Sequence, residues 1–384
     1  MLSLPPLSLY IHIPWCVQKC PYCDFNSHAL KEGIPEQQYI AALLEDLDTD
    51  ITRYQLAGDS RALHSIFIGG GTPSLFSPDA IRQLLNGVAE RIPFSPDIEI
   101  TMEANPGTVE AGRFTAYREA GVNRISIGVQ SFDAEKLKRL GRIHGPEEAI
   151  RAAKLATEAG LQSFNLDLMH GLPDQTLEEA LDDLRQAIAL NPPHLSWYQL
   201  TIEPNTLFYS RPPVLPDDDS LWDIFEQGHK LLTDAGYVQY ETSGYSKPGF
   251  QCRHNLNYWR FGDYLGIGCG AHGKLSFTDG RIIRTVKVKH PKGYLDAGKP
   301  YLTDENTVGS EDRPFEFFMN RFRLLEACPK AEFTAYTSLP LSAIERDINW
   351  ALEKGYLQDL GESWQITEQG KLFLNDLLSR FIAE

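Results

Sequence analysis

The first 212 residues alternate between strand-like and helix-like stretches, and nothing else in the chain restricts the fold as tightly. Strand patterns occupy residues 7–13 (Leu-Ser-Leu-Tyr-Ile-His-Ile), 65–68, 97–103, 124–129, 163–168 and 195–200. Between them apolar residues recur at helical spacing, first at Tyr39, Ile40, Leu43, Leu44, Leu47 and Ile51. Further helical patterns cover 78–91, 109–120, 133–139, 146–159 and 176–190. The punctuation agrees. Ser77 suits an N-cap before Pro78, Gly121 and Gly160 close helices, and Pro192-Pro193 stop another. Six strand-then-helix units, the last helix ill-defined, predict a parallel sheet with right-handed crossovers. They are too few for a closed eight-stranded barrel, so the expected α/β fold is an open or partial (β/α)6 barrel. A doubly wound sheet satisfies the same alternation.

The polar and glycine residues gather just after the strands. There lie a cysteine-rich loop, Gly69-Gly70-Gly71-Thr72, Glu103, Gln130, His170 and Glu203, while Asp167 lies within its strand. In parallel β/α folds the C-terminal strand ends form the ligand-binding face. Beyond residue 212 the character changes through a linker, Pro212-Pro213-Val-Leu-Pro216-Asp-Asp-Asp219. Residues 213–311 read as an accessory region, with a helix over 220–235 and then many glycines and aromatics. Residues 312–384 read as a C-terminal α+β segment resembling a winged helix. The expected domains are therefore 1–212, 213–311 and 312–384.

The loop after the first strand reads Cys16-Val-Gln-Lys-Cys20-Pro-Tyr-Cys23. Three thiolates so close in sequence can meet at one metal centre. Structural zinc takes four ligands, so it would have to borrow His12 or His28. A [4Fe–4S] cluster on three cysteines leaves one iron open to another ligand. The other three of the six cysteines, Cys252, Cys269 and Cys328, are dispersed, which does not suggest a disulfide framework. Cys328-Pro329 reads as a buried free cysteine in preference to a heme thiolate.

No apolar run is long enough to cross a bilayer, and no basic-then-apolar leader opens the chain, so a cytoplasmic location is expected. The formal charge of −16 disfavours nucleic-acid binding, including by the C-terminal segment. One local exception is basic: Arg281, Arg284, Lys287, Lys289 and Lys292. It reads as a solvated edge strand or as a seat for an anionic group.

Cys-x3-Cys-x2-Cys after a first strand, with Gly-Gly-Gly-Thr-Pro after a second, resembles the radical S-adenosylmethionine (SAM) superfamily. Nearly the whole chain further resembles the coproporphyrinogen III dehydrogenase group. The residues that carry this are Tyr-Ile-His-Ile-Pro-Trp-Cys at 10–16, Gly-Val-Gln-Ser-Phe at 128–132, Asn-Leu-Asp-Leu-Met-His-Gly-Leu-Pro at 165–173, and His254-Asn255-Leu-Asn-Tyr258-Trp259. The resemblance implies a [4Fe–4S] cluster on Cys16, Cys20 and Cys23, with SAM chelating the open iron. One electron can then split the sulfonium bond. It implies SAM contacts from Tyr10, Tyr22, Gly70, Gly71, Thr72, Glu103, Gln130, Arg142 and Asp167. A turn without Cβ atoms would let the backbone approach SAM.

Two departures from the dehydrogenase pattern matter. The position two residues after the third cysteine, a fourth cysteine in the dehydrogenases, is Phe25 here. Those enzymes also carry an N-terminal extension, whereas this first strand starts within ten residues of Met1. Both point to the group's heme-chaperone branch, which binds heme and passes it to acceptor proteins, respiratory ones among them. The runner-up is an oxygen-independent coproporphyrinogen III oxidase. By the same resemblance His254 is the expected heme ligand, with Tyr258 and Trp259 against the macrocycle. No catalytic residue is assigned, SAM being cleaved or only held. The implied partners are heme, its acceptors, a flavodoxin- or ferredoxin-type electron donor and, through acceptors, the membrane surface. The expected state is a monomer or a dimer, without nucleic acid.

Overall fold

Leu7, Leu9, Ile11 and Ile13 alternate with Ser8, Tyr10 and His12, so strand β1 (Leu7–Ile13) has one apolar and one polar face. The apolar face joins Tyr39, Leu43 and Leu47 of helix α1 (Glu36–Arg53) in the main core. Each following unit repeats this logic in the computed structural model, which describes residues 3–383. The strands are β2 (Leu63–Gly70), β3 (Phe94–Ala104), β4 (Arg124–Gln130), β5 (Ser163–His170) and β6 (His194–Gln199). All pair in parallel in chain order. Helix α2 (Pro78–Ala89) starts as its sequence predicts, with the Ser77 hydroxyl accepting the Ala80 N–H. Helix α3 (Leu177–Ala189) opens on a reciprocal capping box between Thr176 and Glu179.

One expected helix breaks. The pattern over 109–120 becomes Thr108–Ala111 and Phe114–Glu119, because Gly112 interrupts it. Helix α4 (Asp218–Asp234), expected in the accessory region, packs on α3 and so supplies the sixth crossover's cover.

The sheet also runs on past residue 212. Strand β7 (Val238–Gln239) pairs antiparallel with β8 (Gly244–Ser246), which pairs antiparallel with β6. Beyond β1, strand β9 (Asp263–Gly268) pairs in parallel, Leu7 opposite Asp263 and His12 opposite Gly268. Then β10 (His272–Ser276), β11 (Ile282–Lys287) and β12 (Leu302–Thr307) follow antiparallel. The order is β12-β11-β10-β9-β1-β2-β3-β4-β5-β6-β8-β7, one 12-stranded sheet with seven parallel strands at its centre. Strand β1, first in the chain, therefore lies well inside the sheet. Of the basic stretch, Arg284 and Lys287 sit on β11, which is flanked on both sides. Its Lys287 is buried against Asp46 and Asp50 of α1.

Helix α5 (Arg253–Trp259) carries the His-Asn-x-x-Tyr-Trp motif and lies on the polar, inner face of the sheet. Its first turn is held by Glu99 of β3, which accepts the Arg253 and His254 N–H groups at 2.9 and 3.0 Å. The C-terminal segment has its own core around Phe317, Phe318, Phe333 and Trp364. It joins short helices (Arg313–Arg321, Lys330–Thr337, Glu345–Glu353, Glu368–Leu372 and Leu374–Ser379) to a small antiparallel sheet. Among the described residues no helix is long and apolar enough to cross a membrane.

Candidate functional site

The cysteine loop leaves β1 at Pro14 and is tied back at once. His28 N–H donates to the Pro14 carbonyl and Leu30 N–H to that of Cys16. The glycine turn after β2 is bonded to the same loop. Gly71 N–H donates to Ile13 O and Thr72 N–H to Trp15 O, both at 2.7 Å. Gly70 has φ +116°, and a Cβ there would lie 2.5 Å from the His12 ring. A Cβ on Gly71 would lie 2.5 Å from the Trp15 carbonyl oxygen. These glycines are thus required by loop-on-loop packing, whatever else approaches them.

Cys16, Cys20 and Cys23 line one cavity of about 480 Å³. Tyr22, Gly70, Gly71, Thr72, Glu103, Gln130, Arg142 and Asp167 line it too. The strands curl round it, since β2, β3, β4, β5 and β6 each contribute to its wall. Burial raises the Cys16 and Cys23 thiols above their ordinary range, partly offset by hydrogen bonds from Thr72 to Cys16 and from Ser27 to Cys23. Among the described residues no three His, Cys, Asp or Glu side chains converge tightly enough for a single metal ion.

The walls are charged and under-satisfied. Arg142 donates to the Gly128 carbonyl at 2.7 Å and to Asn105 Oδ1 at 3.0 Å, and its Nη1 lies 3.6 Å from Cys20 Sγ. Its Nε is buried without a partner. Glu103 accepts the Gly70 N–H at 2.9 Å. Burial, reinforced by Asp167 and opposed by that bond, pushes its carboxyl up to about 8. Burial also raises Asp167, against hydrogen bonds from Asn165 and Ser126. Gln130 has φ +69°, a conformation few non-glycine residues adopt, at a register shift between β4 and β5.

Two expected site residues lie elsewhere. Tyr10 faces a neighbouring cavity, its hydroxyl 2.9 Å from His12 Nδ1. His254 is fully buried. Its Nδ1 is 2.9 Å from Ser65 Oγ and its Nε2 is 2.8 Å from the Tyr258 hydroxyl. Neither ring nitrogen faces a cavity, so ligation by His254 would require one of these bonds to break. Desolvation holds its pKa down to about 3.

Sequence reasoning passed over Tyr198, Ser196, Ser126 and Asn105, all in the cavity wall. Tyr198 donates to Gln130 Oε1 at 3.3 Å. The signal was present: Ser196 and Tyr198 are two apart on one strand and so share its inner face. The far wall comes from beyond residue 212, including Asn255, Trp259 and Arg323. The Arg323 guanidinium stands 4.3 Å from the Trp259 ring centre.

Residues 10–187 match the Radical SAM superfamily and residues 308–373 the HemN C-terminal domain. The chain is 69% identical over 384 residues to the heme chaperone HemW of Escherichia coli K12, covering 100% of both chains. It is 67% identical to that of Haemophilus influenzae over the same length, again covering 100% of both. It is 33% identical over 387 residues to that of Bacillus subtilis, covering 98% of this chain and 99% of the other. Among solved structures, coproporphyrinogen III oxidase (HemN) from Escherichia coli matches with a TM-score of 0.82, over 98% of this chain and 90% of that one. At 23% identity this shows a shared fold.

Proposed function

Because the chain belongs to the heme chaperone HemW family of radical SAM proteins, we propose that it binds heme and passes it to acceptor proteins. In this reading Cys16, Cys20 and Cys23 hold a [4Fe–4S] cluster and SAM sits beside it. The observation that carries the cofactor reading is the cavity itself: three thiols share its wall with the Arg142 guanidinium and the Glu103 and Asp167 carboxyl groups. That donor set fits a thiolate-bound cluster next to a ligand carrying both a carboxylate and cationic groups. When bound, the cluster and SAM together supply one-electron cleavage of a sulfonium bond.

The chain's own residues bind and orient. Arg142 holds a carboxylate through its guanidinium. Glu103 and Asp167 face the ammonium or ribose end, with Gln130, Thr72 and Tyr22 closing the wall. The Gly70–Gly71 turn fixes the cysteine loop over the cavity. Phe25, 61% exposed, lines both this cavity and its neighbour, where a fourth cysteine would add a thiol. We infer an electron donor of flavodoxin or ferredoxin type and acceptors that are heme proteins.

Anaerobic reconstitution tests the reading. Iron and sulfide at one cluster per chain, binding of added hemin, and no conversion of coproporphyrinogen III are expected. Stoichiometric decarboxylation of that substrate would replace the chaperone reading with an oxidase. Failure to bind hemin would remove it outright.

A further inference from the structure

The cysteine loop has two flanks, and they are packed differently. On the inner side Asn26, three residues past Cys23, donates to the Cys269 and Lys289 carbonyls at 3.1 and 2.9 Å. On the outer side Val17, Gln18 and Lys19, the residues between the first two thiols, are exposed. Two neighbouring loops brace this side at Pro21. Phe208 N–H donates to the Pro21 carbonyl at 3.0 Å, and Gln18 Nε2 donates to that of Gly141 at 3.5 Å. Gly141 has φ +67°, and a Cβ there would lie 2.7 Å from Pro21 Cδ. A third loop joins them, since Asp174 pairs with Arg139 and donates its N–H to the Val214 carbonyl at 3.1 Å.

What these loops present outward is unusual for a surface. Val17, Ile143, Leu207, Tyr209 and Val214 are 48–71% exposed. Neighbouring large apolar side chains left in water mark an interaction surface. The charge is equally out of character. The chain carries −16, yet Lys19, Lys138 and Arg211 stand exposed here and, among the described residues, enter no ion pair. The Lys19 ammonium donates to the Phe25 and Ser27 carbonyls at 3.3 and 3.4 Å, which fixes a positive charge over the cysteine loop. Of the carboxylates on these loops, Asp174 is held by Arg139 and Glu203 by the Thr201 hydroxyl, while Asp24 lines the neighbouring cavity.

An apolar spot ringed by uncompensated cations selects a partner whose own apolar spot is ringed by carboxylates. The position selects further. Val17 follows Cys16 and Lys19 precedes Cys20, so a protein docked here meets the metal site through the residues that hold it.

We propose that this face docks an acidic one-electron carrier protein, bearing a flavin or an iron–sulfur centre, and that Lys19, Lys138 and Arg211 orient it over the cysteine loop. The inference rests on the cluster reading above and names the surface through which that cluster is reduced. One electron leaves the carrier and enters the cluster. The carrier is oxidised by one unit, the cluster is reduced by one, and no bond forms or breaks. Arg142, whose Nη1 lies 3.6 Å from Cys20 Sγ, meets the added negative charge from behind the loop. Redox encounters are small and short-lived, so a few apolar side chains within a charged rim suffice.

The test follows reduction of the full-length reconstituted protein by reduced flavodoxin and, separately, by reduced ferredoxin, reading the electron paramagnetic resonance of the reduced cluster. The affinity of each oxidised carrier is titrated in parallel. Lys19→Glu with Arg211→Glu should slow reduction and weaken carrier binding by about tenfold or more at low salt, and the gap should close as salt rises. Reduction by a small uncharged deazaflavin, and iron content, should stay at wild-type values. Arg346→Glu with Lys354→Glu makes the same change in net charge on the C-terminal segment and should behave as wild type. Leu207→Ser with Tyr209→Ser should weaken binding with the salt dependence intact. The carrier that shows the larger effect is the class the face fits. Charge reversal that leaves rate, affinity and salt dependence unchanged would overturn the docking face and leave the cluster reading standing. Wild-type protein that deazaflavin reduces and neither carrier does would overturn it too. So would loss of heme transfer with electron transfer intact, which would make this an acceptor surface. Absence of a cluster in the wild-type protein would overturn the reading on which the face depends.

Discussion

Glu103 should make SAM binding pH-dependent in a way its amide isostere abolishes. In the empty site its carboxyl is pushed up to about 8, mainly by burial. The unfolded reference is 4.5, so the folded protein holds this proton across neutral pH. A cationic ligand prefers the carboxylate, so binding must first remove the proton. At pH 7 roughly one molecule in ten is ionised, which weakens binding by about tenfold, or about 1.4 kcal/mol, relative to its high-pH limit. Each further unit down costs about tenfold again, and above pH 8 the dependence levels off. Glu103→Gln keeps an oxygen for the Gly70 N–H and removes the titration. Equilibrium dialysis of SAM against reconstituted protein from pH 6 to 9 gives both curves, and the variant reports the ligand's own titration. The wild-type curve should converge on the variant's at low pH and rise above it through neutrality. Parallel curves would refute the placement of Glu103 against a cation.

Cys20→Ser should abolish the visible absorbance of the reconstituted cluster and its iron; full iron content in that variant would show the thiol is not a ligand. Gly71→Ala drives a Cβ to within 2.5 Å of the Trp15 carbonyl, so it should lower stability by about 1–3 kcal/mol in denaturant titration and loosen cluster retention. Lys287→Met leaves Asp46 and Asp50 buried without their cation, at a cost of about 3–5 kcal/mol. That loss should grow as pH rises, because two carboxyl groups held neutral must then ionise; thermal melts at pH 5 and pH 8 separate it from a packing defect.

What the sequence disclosed was local. The thiol spacing, the glycine turn and the alternation of β1 to β6 each reside within a few residues, and the structure brings those residues to one cavity. What it hid was set at long range. Strand β9 reads Asp-Tyr-Leu-Gly-Ile-Gly, too glycine-rich to announce that it would flank β1. His254 looked available because a motif shows residue types, whereas Ser65 and Glu99, which bind its ring and its N–H, come from distant strands.

The place of β1 inside the sheet imposes a schedule on synthesis. The cysteine loop leaves the ribosome well before its partner, since 243 residues separate Asn26 from the Cys269 carbonyl it must meet. At about 5–20 residues per second, that wait is roughly 12–50 s. Throughout it one edge of β1 is unpaired, because β9 does not yet exist, and such edges recruit foreign strands. The thiols spend the same interval on a loop without its closing partner. The newborn chain therefore depends longest on protection at the very end where its metal chemistry is to be built, and any cluster acquired early must survive the closure that follows.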